Sequence, residues 1–168
     1  LDGGGVRGLL TIGMLAQLEE NLRRRSGKPD YRLSEYFDLI GGTSTGSIIA
    51  TGLALGMSVG ELSALYKTVI PKVFKRPWLQ SLGIFAPVFN SGPLANALAA
   101  EFRGRTLESE DLRTGLAIHS KRIDTGSAWI VTNNADWVYA QHNFGFRLRD
   151  IVQASAAAPH YFQGVFIK

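Results

Sequence analysis

The chain of 168 residues contains no cysteine. That absence excludes disulfide bonds, thiol nucleophiles and Cys-based zinc sites, and it suits a reducing compartment. The three histidines, His119, His142 and His160, are scattered rather than spaced as metal ligands, so no metal and no cofactor is expected. No stretch reaches the roughly 18 uninterrupted apolar residues of a membrane-spanning helix. The first residues also lack the charged-then-apolar layout of a signal peptide. A cytoplasmic protein is expected, at most peripheral to a membrane. Low-complexity tracts and long runs of like charge are absent too, and 45% hydrophobic against 19% charged residues is a globular composition. A chain of this length can form one compact core, and a single domain over 1–168 is expected.

The basic excess is small: 18 Lys plus Arg against 14 Asp plus Glu, a net charge of +4. Its densest cluster, Arg23 to Arg25, falls at the end of a predicted helix, where the helix dipole favours cations. The cluster therefore needs no nucleic-acid partner. That helix is read from Leu9, Ile12, Leu15, Leu18 and Leu22 at helical spacing, with Glu19, Glu20 and Arg23 on its other faces, and Gly27 and Pro29 stop it.

Downstream, residues 36–42 (YFDLIGG) read as a short buried strand, and 43–56 as a helix that is small or apolar all round, hence packed inside. Ser58 and Glu61 have capping-box spacing and open a third helix. Residues 70–91 read as a loop-rich excursion, and Pro93 starts a helix to about Arg103. Strands are expected at 116–123 and 128–133 around a turn with Asp124 and Gly126. An Ala-rich helix over 148–158, stopped by Pro159, and a last strand at 164–168 complete the chain. The alternation predicts an α/β fold with a central, mainly parallel sheet flanked by helices.

Two glycine motifs carry the chemistry. Gly3, Gly5 and Gly8 form G-x-G-x-x-G leading into a helix, which any turn bringing backbone close to an anion would favour. A dinucleotide site would also need an acidic residue about 20 positions on, at a strand end. Glu19 and Glu20 have that spacing but lie within the first helix. A P-loop would need Gly-Lys-Ser/Thr, which does not follow. The second motif, Gly42, Ser44 and Gly46 with Thr43 and Thr45 between them, is G-x-S-x-G between a predicted strand and a predicted helix. This is the nucleophile-elbow arrangement, in which flanking glycines allow a turn tight enough to project the serine hydroxyl. Together the motifs suit acyl transfer: Ser44 attacks a carbonyl, and backbone N–H groups around Gly4 and Gly5 receive the developing oxyanion.

The segments DGGGVRG (2–8), GTSTG (42–46) and ASAAAPHYF (154–162) resemble the patatin-like phospholipase family, in that order and across the chain. The resemblance implies a three-layer patatin-like α/β fold and a lipid acyl hydrolase with a Ser-Asp dyad. Ser44 would be the nucleophile, Gly3, Gly4, Gly5 and Arg7 the oxyanion loop, and Gly42, Thr43, Thr45 and Gly46 the elbow. In the family the dyad aspartate stands in an Asp-Gly-Gly or Asp-Gly-Ala motif after the Ala-rich helix, and none follows Ser44 here. The general base is therefore expected just beyond Lys168, and the sequence is expected to be truncated at both ends.

Within the chain, Asp124, Asp136 and Asp150 are weaker candidates for the base. A Ser44, Asp150, His160 triad has the right order for an α/β-hydrolase. The other readings are a non-catalytic fragment and a nucleotide-binding module using the first loop. The partner implied is a lipid substrate. Residues 67–89, where Lys67, Lys72, Lys75 and Arg76 interleave with Phe74, Trp78, Phe85 and Phe89, suit peripheral contact with a membrane surface.

Overall fold

The computed structural model describes residues 1–73, 92–157 and 164–167. A single 3-10 turn (Gly5–Arg7) runs into helix α1 (Gly8–Ser26). Its inner stripe holds Ile12, buried, with Leu15, Leu18 and Leu22 partly buried, while Leu9 is exposed. Gly27 ends α1 in the left-handed conformation (φ 70°) and donates its N–H to the Arg23 carbonyl at 3.0 Å.

Glu19 departs from expectation, since it is 2% exposed rather than on an outer face. Its carboxylate meets Arg23 at 2.6 Å and accepts the Val59 N–H at 3.2 and 3.3 Å. The first turn of a helix leaves N–H groups without internal acceptors, and a buried carboxylate supplies one.

Strand β1 (Leu39–Thr43) is shorter than the 36–42 reading proposed at its start. Tyr36, Phe37 and Asp38 stay outside it: a 3-10 turn (Leu33–Glu35), held by the Glu35 carboxylate accepting the Arg32 N–H at 3.1 Å, precedes them, the Tyr36 and Phe37 N–H groups both donate to the Leu33 carbonyl at 3.1 Å, and the two rings pack edge to face. Helix α2 (Thr45–Ala54) follows after one residue, with all ten of its residues buried. Helix α3 (Val59–Val73) opens on the expected box: Ser58 donates its N–H to Glu61 at 2.7 Å and accepts the Glu61 N–H at 3.2 Å. It then continues through Pro71, so the loop-rich reading fails over Ile70–Val73, where burial of Val69 and Ile70 outweighs the lost hydrogen bond. The rest of that excursion lies outside the described residues.

Helix α4 (Gly92–Phe102) has Pro93 in its first turn, as expected. Strands β2 (Gly115–Lys121) and β3 (Ala128–Thr132) form a hairpin whose turn uses Gly126 at φ 68°. A one-turn helix α5 (Ala140–Asn143), not legible in the sequence, and helix α6 (Leu148–Ala156) follow. Residues 164–167 belong to no strand, contrary to expectation; Gly164 packs instead on the Ile123 side chain.

The sheet has the order β1-β2-β3, parallel between β1 and β2 and antiparallel between β2 and β3. Leu1 lies along β1 as well: its amino group donates to the Gly41 carbonyl at 2.8 Å, and its carbonyl accepts the Thr43 N–H at 3.1 Å. That is the slanted pattern of a parallel ladder, so parallel pairing surrounds β1 in this α/β fold. Helix α2 packs on β1 and β2, α6 on β2 and α2, and α1, α3 and α4 pack on these helices or on one another. Among the described residues no helix is long and apolar enough to cross a membrane.

Candidate active site

The site forms where β1 ends and α2 begins. Ser44 is the single residue between them and stands at φ 55°, ψ −128°. Positive φ is costly for a residue with a Cβ, of order 1–3 kcal/mol, and persists only where its surroundings impose it. Two glycines permit the bend. A Cβ on Gly42 would lie 2.3 Å from the Gly46 carbonyl oxygen, because the first turn of α2 folds back over the strand end. One on Gly46 would lie 2.3 Å from the Leu1 oxygen and 2.6 Å from that of Asp2, because the entering chain crosses there.

That crossing brings the first glycine motif to the serine. A Cβ on Gly3 would sit 2.7 Å from the Ser44 Cβ and 3.4 Å from its Oγ, so only glycine allows this approach. Gly4 and Gly5 both have positive φ, 142° and 56°, and turn the chain into the 3-10 helix, where Arg7 donates its N–H to the Gly4 carbonyl at 3.1 Å. The loop is fastened at Gly5, whose N–H donates to Thr45 Oγ1 at 3.1 Å and whose carbonyl accepts the Tyr66 hydroxyl. Tyr66 reaches it from α3 and is 1% exposed. Burial pushes its phenol up, partly opposed by the neighbouring Thr45 hydroxyl, so it remains a protonated donor.

Neither the Gly3 nor the Gly4 N–H has an acceptor among the described residues, and the Ser44 hydroxyl has no hydrogen-bond partner among them. The Ser44 N–H donates to Ser155 Oγ at 2.8 Å, and Ser155 donates in turn to the His119 carbonyl at 2.5 Å. Arg7 is exposed, with no ion-pair partner among the described residues. Thr43 is exposed at the strand end and Thr45 is buried at the helix start.

The weaker aspartates stand apart. Asp124 is held by Arg122 at 2.5 and 3.0 Å in the hairpin turn, and that guanidinium keeps its carboxyl below the usual range. Asp136 is exposed in a loop. Asp150 meets Arg149 at 3.3 Å in the first turn of α6, the opposite end from Ser155. His160 lies outside the described residues. Glu19, considered as a ribose ligand, has both carboxylate oxygens committed to Val59. Among the described residues no group of three or more His, Cys, Asp or Glu is placed to hold a metal ion. A polar cleft of about 440 Å³, lined by Leu55, Arg105, Glu110, Asp111 and Arg113, opens at the far end of α2 from Ser44.

Sequence reasoning missed Tyr66 and Ser155. Tyr66 had one available signal: a tyrosine on the buried stripe of a helix needs an acceptor for its hydroxyl. Ser155 stands within the Ala-rich motif, but nothing local connects it to a residue 111 positions earlier.

Fold and site define a class: an α/β protein presenting a serine on a strand–turn–helix elbow, with a glycine loop laid against it. The chain belongs to the patatin-like phospholipase family, whose model matches residues 1–168. It is similar to a cGAMP-activated phospholipase of Escherichia coli (strain TW11681), 34% identical over 100% of this chain and 48% of that protein. A cGAMP-activated phospholipase of Vibrio cholerae is 33% identical over 96% and 48%. Patatin-2-Kuras 2 of Solanum tuberosum is 32% identical over 96% and 42%. The chain thus spans about half the length of the curated relatives it matches.

Proposed function

We propose that this protein is a lipid acyl hydrolase of the phospholipase A type, cleaving carboxylic esters through an acyl-Ser44 intermediate. The observation that carries the reading is the Ser44 backbone, held at positive φ with its hydroxyl beside Gly3 and without a hydrogen-bond partner among the described residues. Ser44 Oγ attacks the ester carbonyl. The N–H groups of Gly3 and Gly4, free of acceptors among the described residues, receive the oxyanion, while Gly5 anchors the loop through Thr45 and Tyr66. Arg7 adds positive charge at the loop's end. The leaving alcohol departs, and water then hydrolyses the acyl-serine.

No carboxylate or imidazole contacts Ser44 among the described residues. The reading therefore assigns the proton acceptor to an aspartate other than those described, as in the Ser-Asp dyad the resemblance implies. Residues 1–168 are read as a single patatin-like unit.

The test is labelling with a fluorophosphonate probe followed by turnover of a p-nitrophenyl ester. The protein should be labelled at Ser44, and Ser44→Ala should lose both labelling and turnover, by about 10³-fold or more in kcat. Labelling elsewhere, or turnover surviving in Ser44→Ala, would sink the proposal.

The finer part of the reading is peripheral contact with an anionic lipid surface through residues 67–89, on the cytoplasmic side. It is supported by the interleaved basic and aromatic residues and by the exposure of Lys67.

A further inference from the structure

The peptide groups on the two sides of Ser44 are held differently. Its carbonyl is held locally, accepting the Ser47 N–H at 2.9 Å and the Ser47 hydroxyl at 2.5 Å within the first turn of α2. Its N–H is held from across the fold by Ser155, on the last turn of α6. The Ser155 hydroxyl is committed at both ends. It accepts from Ser44 at 2.8 Å and donates to the His119 carbonyl at 2.5 Å, on the strand where His119 lies in register with Thr43. A hydroxyl with its donor and one acceptor position both engaged has little rotational freedom.

From this bridge we infer that Ser155 is a positioning residue for acyl transfer: it locks the Ser44 N–H to β2 and so sets the backbone angle that aims Ser44 Oγ at the glycine loop. The inference rests on the reading of Ser44 as the nucleophile. A positive-φ serine returns to an ordinary conformation unless held there, and the local bonds to Ser47 constrain only the carbonyl side. Without the Ser155 hydroxyl only the strand pairing of Thr43, with Leu1 and with β2, holds that side of Ser44, so φ gains freedom and the distance from Oγ to the Gly3 and Gly4 N–H groups changes with it. Misplacement of this kind lowers the rate of the chemical step while leaving substrate binding intact. Ser155 is not the nucleophile of this reading: its hydroxyl donates its hydrogen bond to the His119 backbone carbonyl and accepts one from the Ser44 N–H.

The test compares Ser155→Ala with Thr114→Ala. The second removes another hydroxyl-to-carbonyl bond, from Thr114 to Phe37, away from the elbow. Measured on the full chain, Ser155→Ala should slow fluorophosphonate labelling and lower kcat by about tenfold or more, with KM within about twofold. Its melting temperature should fall no further than that of Thr114→Ala, which keeps both rates. Wild-type rates in Ser155→Ala, or a loss no larger than its unfolded fraction, would overturn the inference.

If Ser155→Ala does not fold, Ser155→Thr and Ser155→Val, which share a shape and differ in the hydroxyl, decide the matter: fast Thr with slow Val supports the bridge, and equal rates refute it. Failure of the underlying reading looks different, because the unmutated protein would then not be labelled at Ser44.

Discussion

Ser44 and Gly3 exert their effects within one contact distance of each other. The Gly3 prediction is correspondingly sharp: a Cβ there would stand 2.7 Å from the Ser44 Cβ, closer than two such carbons can approach, so the loop must move off the serine. Gly3→Ala should lower kcat by about 10²-fold through loss of oxyanion donors. Its melting temperature should change by no more than about 4 °C, because the residue is exposed and outside any helix or strand. Unchanged kcat would show that the loop does not serve the reaction. At this scale the G-x-S-x-G and glycine-loop residues were legible because close approach leaves glycine as the one residue without a Cβ. Tyr66 and Ser155 were not, because a hydrogen bond across 61 or 111 residues leaves no periodic trace.

At the scale of elements, most boundaries followed from capping and turn chemistry, and the exceptions have specific causes. The box at Ser58 and Glu61 opens α3 as its spacing implied. Ser58→Ala should cost about 1 kcal/mol, seen as a drop of roughly 2–4 °C in melting temperature with kcat unchanged.

The Glu61 carboxyl is held below the usual glutamate range, first by its hydrogen bonds from the Ser58 side chain and backbone. A lowered folded-state pKa means that its stabilisation is complete at neutral pH and disappears as pH falls through that lowered pKa. In Glu61→Gln this acid-dependent share of the unfolding curve should be missing. Identical acid limbs in the two proteins would remove Glu61 from the account. Where boundaries differed, tertiary packing prevailed. Burial carried α3 past Pro71, and the Leu33 carbonyl, accepting the N–H groups of Tyr36 and Phe37, kept the first residues of the β1 reading out of the strand. The strand read at 164–168 is not formed over 164–167, where Gly164 packs on Ile123.

For the molecule as a whole, the modest net charge of +4 leaves membrane contact to a local cluster rather than to the overall field. Sedimentation with vesicles should show binding to anionic and not to neutral lipid, weakening as salt rises from about 0.05 to 0.5 M because surface charges are screened. Equal failure to bind both would end that part of the proposal.

The sequence by itself determined the α/β class, the elbow at Ser44, the glycine loop and the capped helices. Each of these depends on periodicity or on steric demands between near neighbours. Only the tertiary structure decided that Thr45 engages the Gly5 N–H and that Glu19 is buried against α3. The tie from the Ser44 backbone to α6 and β2 was likewise its decision. Such pairings join residues far apart in the chain, and which donor meets which acceptor is settled by packing the elements against one another, not by any local pattern of residue types.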